Sequence, residues 1–487
     1  MPPHPAIEQI KQILGSKGWA DEDGMLAPHL VDSRGSYQGR CLGLALPATT
    51  EEVSRIVTLC AHHRIPIVPQ GGNTGRVGGA TPDETGTALL INLSRMNNIL
   101  EIDPEGHAIT VEAGCILQNI QQAAADADRF FPLSLGAEGS CQIGGNLASN
   151  AGGINVLRYG NTRDLVLGLE AVMPDGRVMN ALTALRKDNT GYDLKHLLIG
   201  SEGTLGIITK AVLRLFPRPT SQATAFCALD SLDSAVDLLG RARADSGDAV
   251  SSFELIPARA VEFASRHVPN TRPPLDDIPD WCVLLEFSGS GAAPSTNKDL
   301  ESFLEGAFEA GLITDAMIAQ NEGQRSDLWR LREAIVAAQK PEGASIKHDI
   351  SVPVQAVPAF IRQANEAVTE ACPGIRPYPF GHVGDGNIHY NLSQPEGMAP
   401  AAFKAREEDL HRIVYDITQS LGGSISAEHG IGRKKRDDLA RYGDPVSLDL
   451  MRAIKKALDP DNIMNPGILL PTETNDNDKK PIRENRP

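Results

Sequence analysis

The chain has 487 residues, 62 Asp and Glu against 46 Lys and Arg, and a formal charge of -16. With 41% hydrophobic and 22% charged residues it has an ordinary globular balance, which excludes global disorder and collagen-like repetition. An acidic field repels phosphate backbones and gives no polybasic hold on anionic lipid, so nucleic-acid binding is not expected, and the length predicts two or three domains.

Residues 1–36 read as a short amphipathic helix, roughly Ile7 to Leu14, followed by a polar loop. The start of the chain lacks a basic-then-apolar signal pattern, and no apolar run reaches the ~18 residues of a membrane span. A cytoplasmic protein is expected, with docking on a membrane electron-transfer partner left open. The seven cysteines, Cys41, Cys60, Cys115, Cys141, Cys227, Cys282 and Cys372, form no CxxC pair and are expected to be buried thiols. Thr50 followed by EEVSRIVTLCAHH predicts an N-capped helix with Val53, Ile56, Val57 and Cys60 on one face. IPIVPQ, TALLINLS, HAITVEAG, LVLGLEAVMP and LGIITKAVLRLFP predict strands of a first α+β domain, residues 37–221. TAFCALD, SAVDLLGRA and WCVLLEFSG then read strand, helix, strand, with GAAPSTN as a surface turn. A long helix follows, and another at about 325–338. KHDISVPV and IHYNLSQ are strand-like and flank the helix PAFIRQANEAVTEA. These elements predict a second α+β domain with an antiparallel sheet, residues 222–435. Helices at about 401–418 and 446–458 and a return segment, 436–471, complete the fold. The polar residues 472–487 are expected to be a disordered tail.

Three glycine clusters fall in the first domain: PQGGNTGRVGG (Pro69 to Gly79), PLSLGAEGSCQIGGNLASNAGG (Pro132 to Gly153) and IGSEGTLGII (Ile199 to Ile208). Glycine lets backbone N–H groups approach an anion closely. Asn73, Thr74, Ser140, Asn146 and Ser149 add uncharged polar groups. No cluster contains lysine, so the P-loop lysine is missing, and none has GxGxxG after a strand, so a Rossmann nicotinamide site is not supported. Together they predict a dinucleotide cradle of another kind.

The segment GHVGDGNIHYN sets His382 and His389 seven residues apart, and SAEHGIGRKK places Glu428 beside His429. Two imidazoles and a carboxylate are a credible N/N/O set for a divalent cation with an open position. The spacing is not HExxH, so zincin hydrolysis is not indicated. Asp385 reads as a turn former in VGDGN. Arg332, in DLWRLREAI, and Lys347 are candidates for holding a carboxylate, whereas Arg330 and RKKRD (Arg433 to Asp437) read as solvated charge.

These motifs, with RKDNTGYDLKHLLIGSEGTLGIIT and the terminal NPG, resemble the FAD-linked oxidase/dehydrogenase family over about residues 35–470. Its fold is shared with vanillyl-alcohol oxidase and p-cresol methylhydroxylase. Within it the chain looks most like the D-2-hydroxyglutarate dehydrogenase and D-lactate dehydrogenase/glycolate oxidase branch. The resemblance implies a two-domain α+β flavoprotein oxidising a D-2-hydroxyacid, D-2-hydroxyglutarate first, with D-lactate, D-malate and glycolate as alternatives. It implies FAD held by Pro69, Gly71, Gly72, Asn73, Thr74, Gly75, Gly78 and Gly79. The cofactor wall continues through Pro132, Gly139, Ser140, Gly144, Gly145, Asn146 and Ser149, then Gly203, Gly206 and Ile208, and closes with Asn465 of NPG. No histidine in the glycine-rich turns matches a flavin-linking one, so noncovalent FAD is expected. His382, His389 and Glu428 match metal ligands, usually zinc, and His429 the catalytic histidine. Asn391, Arg332 and Lys347 match substrate-binding positions. Val336 stands where that pocket carries a threonine, and Ile468 where many relatives carry a lysine. An electron-transfer flavoprotein or a quinone is the implied acceptor, and a homodimer the expectation from base rates. A non-enzymatic FAD electron-transfer component and a metal-dependent hydrolase remain the readings from other classes.

Overall fold

The computed structural model describes residues 5–289 and 293–471; the expected tail lies outside them. Helix Thr50–His63 forms because Val53, Ile56, Val57 and Cys60 recur at helical spacing, and all four are fully buried. Its cap is Thr49, one residue earlier than the sequence suggested, and Thr49 accepts the Glu52 N–H. Thr50 instead turns inward and donates to Glu170 at 2.6 Å. The strand–helix units build two sheets. In one, Ile67–Gln70, Leu89–Asn92 and Leu44–Ala45 run parallel, with Trp19–Ala20 antiparallel at the edge. The other is five-stranded and antiparallel, ordered Ile99–Asp103, Ala108–Glu112, Ile207–Arg214, Val166–Val172, Val178–Ala181. One apolar core joins them. It takes in Ala6, Ile7, Ile10 and Leu14 of helix Pro5–Leu14, and Ile463 and Met464 from the far end of the chain. The return is fixed by the backbone: Ile67 donates to Ile463 O at 2.7 Å and Asn465 to Ile67 O at 2.8 Å.

The second region has a four-stranded antiparallel sheet ordered Val250–Pro257, Trp281–Gly289, Ser221–Leu229, Ile313–Ile318. Phe226, Ile256, Cys282 and Leu284 face helices Ala258–His267 and Glu322–Ala338 on one side. Ala225, Leu255, Val283 and Leu285 face helices Ser234–Asp245 and Ala293–Glu309 on the other. Strands covered on both faces read as unbroken apolar runs. Strand Val250–Pro257 breaks that rule, and the sequence reading of strand–helix–strand missed both it and helix Ala258–His267. It is buried along its whole length yet carries Ser251, Ser252 and Glu254. Each finds a partner: Ser251 meets Ser288 at 2.9 Å and Ser252 donates to Ile154 O at 2.9 Å. The expected turn GAAPSTN is also corrected. Residues 291 and 292 lie outside the described residues, and helix Ala293–Glu309 contains the remaining five.

A smaller antiparallel sheet is centred on Asn387–Ser393, flanked by Ser345–Lys347, Ile350–Ser351 and Arg376–Phe380. Leu255 and Gly381 exchange backbone hydrogen bonds of 2.8 and 3.1 Å. This bridge joins the two sheets of the second region edge to edge. Among the described residues no helix is long and apolar enough to cross a membrane. All seven cysteines are free.

Candidate active site

The first glycine cluster follows strand Ile67–Gln70 and meets the second without side chains between them. A Cβ on Gly72 would lie 2.2 Å from Ser140 O, so only glycine permits that approach. Gly75 and Gly145 have open space in front of them. The result is a cleft with about 1010 Å³ of space between its walls, the open mouth included. Pro69, Gly71, Gly72, Asn73, Thr74, Gly75 and Gly79 line it from the first cluster. Gly144, Gly145, Asn146 and Ser149 line it from the second, and Gly203, Gly206 and Ile208 from the third. The side-chain oxygens of Gln142 and Asn146 on this wall are buried with no partner. Uncompensated polar atoms beside open glycines fit a large, neutral-edged, hydrogen-bonding group such as a flavin dinucleotide.

Five of the expected cofactor residues stand behind the wall. Gly78, at φ +71°, packs under the Tyr37 ring. Ser140 offers its carbonyl to the Gly72 contact, and Gly139 sits beside Gln118. The carbonyl of Pro132 accepts from Asn155 at 2.9 Å. Asn465 acts as a tie: its amide donates to Gly79 O at 2.9 Å and to Glu202 O at 2.8 Å. Glu202, which the sequence reading did not single out, lines the cavity and accepts the N–H groups of Ile431 at 2.8 Å and Gly432 at 2.7 Å. Burial pushes its carboxyl up to about 7, against the pull of those two donors. It thereby anchors the EHG loop to the glycine cradle.

The second half of the site comes from the small sheet. His389 and Asn391 alternate onto one face of strand Asn387–Ser393, and His382 precedes the turn Val383–Asp385. Asp385 caps that turn, accepting the Asn387 N–H at 3.1 Å. One donor atom each from His382, His389 and Glu428 lie within 4.8 Å of one another. Behind them stand two buried acids that no motif marked. Glu254 meets His382 Nδ1 at 2.5 Å. Asp349 accepts the N–H groups of Glu428 at 3.1 Å and His429 at 2.9 Å, and lies 3.2 Å from His429 Nδ1. Carboxylates on the remote nitrogens of an imidazole set are what a cation site needs to orient its ligands, so the residues fit a divalent ion. Burial lowers the His382 imidazolium, but Glu254 more than offsets this and raises it to about 9. A cation there competes with that proton. Burial opposes ionisation of Asp349, yet His429 and Lys435 hold it far below the usual carboxylate range.

His429 lines the same cavity as the glycines and follows Glu428 in the chain. Burial, against the pull of Asp349, lowers it to about 4. Lys435 corrects the reading of RKKRD as solvated charge: it is 5% exposed and donates to Ile425 O at 2.8 Å and Asp349 O at 3.4 Å. Arg332 is buried, with Nε and Nη2 both 2.7 Å from Glu254 Oε2. Asn391 donates to Gln339 at 3.0 Å. Lys347 sits opposite Asn391 in the sheet register and has no carboxylate partner among the described residues. Burial, Arg34 and Arg76 lower its ammonium to about 8. The Arg34 and Arg76 segments meet where Ser33 donates to Gly75 O at 2.7 Å. Val336 stands apart from these groups: it is 47% exposed and does not line the cavity.

Residues 42–181 match the family described as FAD binding domain, and residues 218–469 that described as FAD linked oxidases, C-terminal domain. The chain is 39% identical to D-2-hydroxyglutarate dehydrogenase, mitochondrial, of Arabidopsis thaliana, over 96% of this chain and 81% of that one. It is 39% identical to the Bos taurus protein of the same name, over 92% of this chain and 80% of that one. p-Cresol methylhydroxylase with substrate bound shares the fold, with a TM-score of 0.73 at 19% identity over 95% of each chain. A glycine cradle fitted to a flavin, a buried imidazole–carboxylate cluster joined to it through His429 and these likenesses agree: the chain belongs to the FAD-linked oxidase family, in the branch of the FAD-dependent D-2-hydroxyglutarate dehydrogenases.

Proposed function

We propose that the protein oxidises a D-2-hydroxyacid, D-2-hydroxyglutarate before others, to the 2-oxoacid. The observation that carries this reading is the position of His429, which shares the wall of the flavin cavity while its neighbour Glu428 belongs to the His382–His389–Glu428 cluster. Proton acceptor, cation ligands and redox cavity therefore meet at one point. FAD noncovalently bound along the glycine cradle supplies an acceptor for the Cα hydride at N5. A divalent cation, with zinc as the expected ion, held by His382, His389 and Glu428 supplies Lewis acidity to the substrate hydroxyl.

The chain's own residues do the rest. His429 is neutral at physiological pH because burial depresses its pKa to about 4, so it is free to take the hydroxyl proton. Asp349, on its Nδ1 side, orients the ring and leaves Nε2 for the substrate. Lys347 is the cation best supported for a substrate carboxylate, since it has no acidic partner among the described residues. Arg332 has one edge committed to Glu254, leaving its Nη1 for a carboxylate. An electron-transfer flavoprotein or a quinone would take the electrons onward.

The test is anaerobic flavin bleaching with D- and L-2-hydroxyglutarate, D- and L-lactate, D-malate and glycolate. Fast bleaching by D-2-hydroxyglutarate and not its L-enantiomer is expected. Preference for D-lactate, D-malate or glycolate would reassign the substrate. No bleaching by any of them, with FAD retained, would favour a non-enzymatic electron carrier.

A further inference from the structure

We propose that Glu254 is a positioning residue of the cation site, which fixes the tautomer and plane of His382 and is itself fixed by Arg332. This rests on reading His382, His389 and Glu428 as a cation site. The pairing is built by sheet register. Leu255 and Gly381 are antiparallel bridge partners, so Glu254 and His382 stand directly opposite each other across the seam between the two sheets. The two residues are 128 apart in sequence, and the backbone bonds of 2.8 and 3.1 Å at the bridge hold their Cα positions.

The carboxylate is 1% exposed and divides its oxygens. Oε1 takes the Nδ1–H of His382 at 2.5 Å, and Oε2 takes Nε and Nη2 of Arg332, both at 2.7 Å. Arg332 is pinned in turn, its guanidinium 5.1 Å from the centre of the Phe380 ring. With Nδ1 engaged, the ring has only Nε2 to offer to the cluster, and a carboxylate on the remote nitrogen strengthens an imidazole ligand. With one oxygen on the His382 imidazole and the other on the Arg332 guanidinium, Glu254 stands behind the site and is not one of the three ligands within it. Asp349 serves the other two arms of the cluster, accepting the Glu428 N–H at 3.1 Å and lying 3.9 Å from His389 Nδ1, so Glu254 is the acid assigned to His382.

The experiment titrates the FAD-loaded protein with Zn2+ against a competing chelator, reading FAD content from the visible spectrum. Glu254→Gln is isosteric and is expected to keep FAD while binding Zn2+ about 10–100-fold more weakly. Glu254→Asp keeps the charge near Arg332 but withdraws it from Nδ1 by one methylene, and is expected to weaken Zn2+ as well. His382→Ala is the control. Parental Zn2+ affinity in Glu254→Gln, beside loss in His382→Ala, overturns the role of Glu254. Parental affinity in His382→Ala overturns the cation site itself. Should Glu254→Gln lose FAD, Glu254→Asp carries the test alone: parental Zn2+ affinity there overturns the proposal, and weaker binding supports it.

Discussion

The two halves of the site are made of different material. The flavin side is backbone: glycines, uncharged polar side chains, and loops that touch through missing Cβ atoms. The other half is buried charge: three histidines and Glu428, of which His429 lines the cavity, braced by Glu254, Asp349, Arg332 and Lys435. A backbone cradle tolerates a large ligand by shape and costs little electrostatically. A buried charged cluster must have each group paired, because one left alone is heavily penalised. Damage to the first wall should therefore read out as lost cofactor, and damage to the second as lost chemistry or stability with cofactor retained.

His429→Ala is the strongest way to sharpen that contrast. Anaerobic flavin reduction should fall by roughly 10²–10⁴-fold, the usual worth of a general base, with the FAD spectrum unchanged. Reduction at the parental rate would remove His429 as the base. Chelation comes next. Removing the cation should slow reduction by about 100-fold, consistent with the several kcal/mol a Lewis acid supplies, and added Zn2+ should restore it. If chelation also strips FAD, the two walls are not separable in the way described.

Asp349→Asn removes a buried charge that holds two backbone N–H groups and faces His429 and Lys435. A loss of about 1.5–3 kcal/mol is expected, the worth of hydrogen bonds to a charged group, measured by denaturant unfolding. On the glycine wall, two alanines should behave oppositely. Gly72→Ala drives a Cβ to 2.2 Å from Ser140 O and should cost stability. Gly145→Ala points into open cavity and should leave folding intact while weakening FAD, by about tenfold on the lower side of overpacking costs. Equal behaviour of the two would contradict the cradle.

A pH dependence of similar size completes the set. The Lys347 ammonium is lowered to about 8 from an ordinary value of 10.5, so it is charged at pH 7 and loses its charge as pH rises through 8. The KM for a dicarboxylate should then climb by about tenfold above that pH, and Lys347→Met should abolish the rise.

The flavin wall was largely legible because its signals are local. Each glycine cluster is a short contiguous string, and the strands around it are short runs rich in β-branched residues between turns. What failed there was detail: the helix cap fell on Thr49, and Asn465 and Gly78 support the cradle from behind. The charged wall was half legible. GHVGDGNIHYN and SAEHGIG advertise their histidines, but Glu254 sits in VSSFELIP, whose serines and acid disguise a fully buried strand. Asp349 and Glu202 likewise carry no local mark. Lys435 looked like surface charge because three of its neighbours are basic, and only the fold shows it donating into the interior.

Sequence alone determined which residues are chemically able to act: the glycines that admit a dinucleotide, the imidazoles and carboxylate that suit a cation, the histidine that suits a base. Tertiary structure decided which of them meet and what braces them. The bridge at Leu255 and Gly381, the Glu202 anchor on the EHG loop and the return of Ile463 to Ile67 each join segments distant in the chain. Pairings of that kind are set by sheet register and by the need to neutralise buried charge, and neither has a period in the sequence.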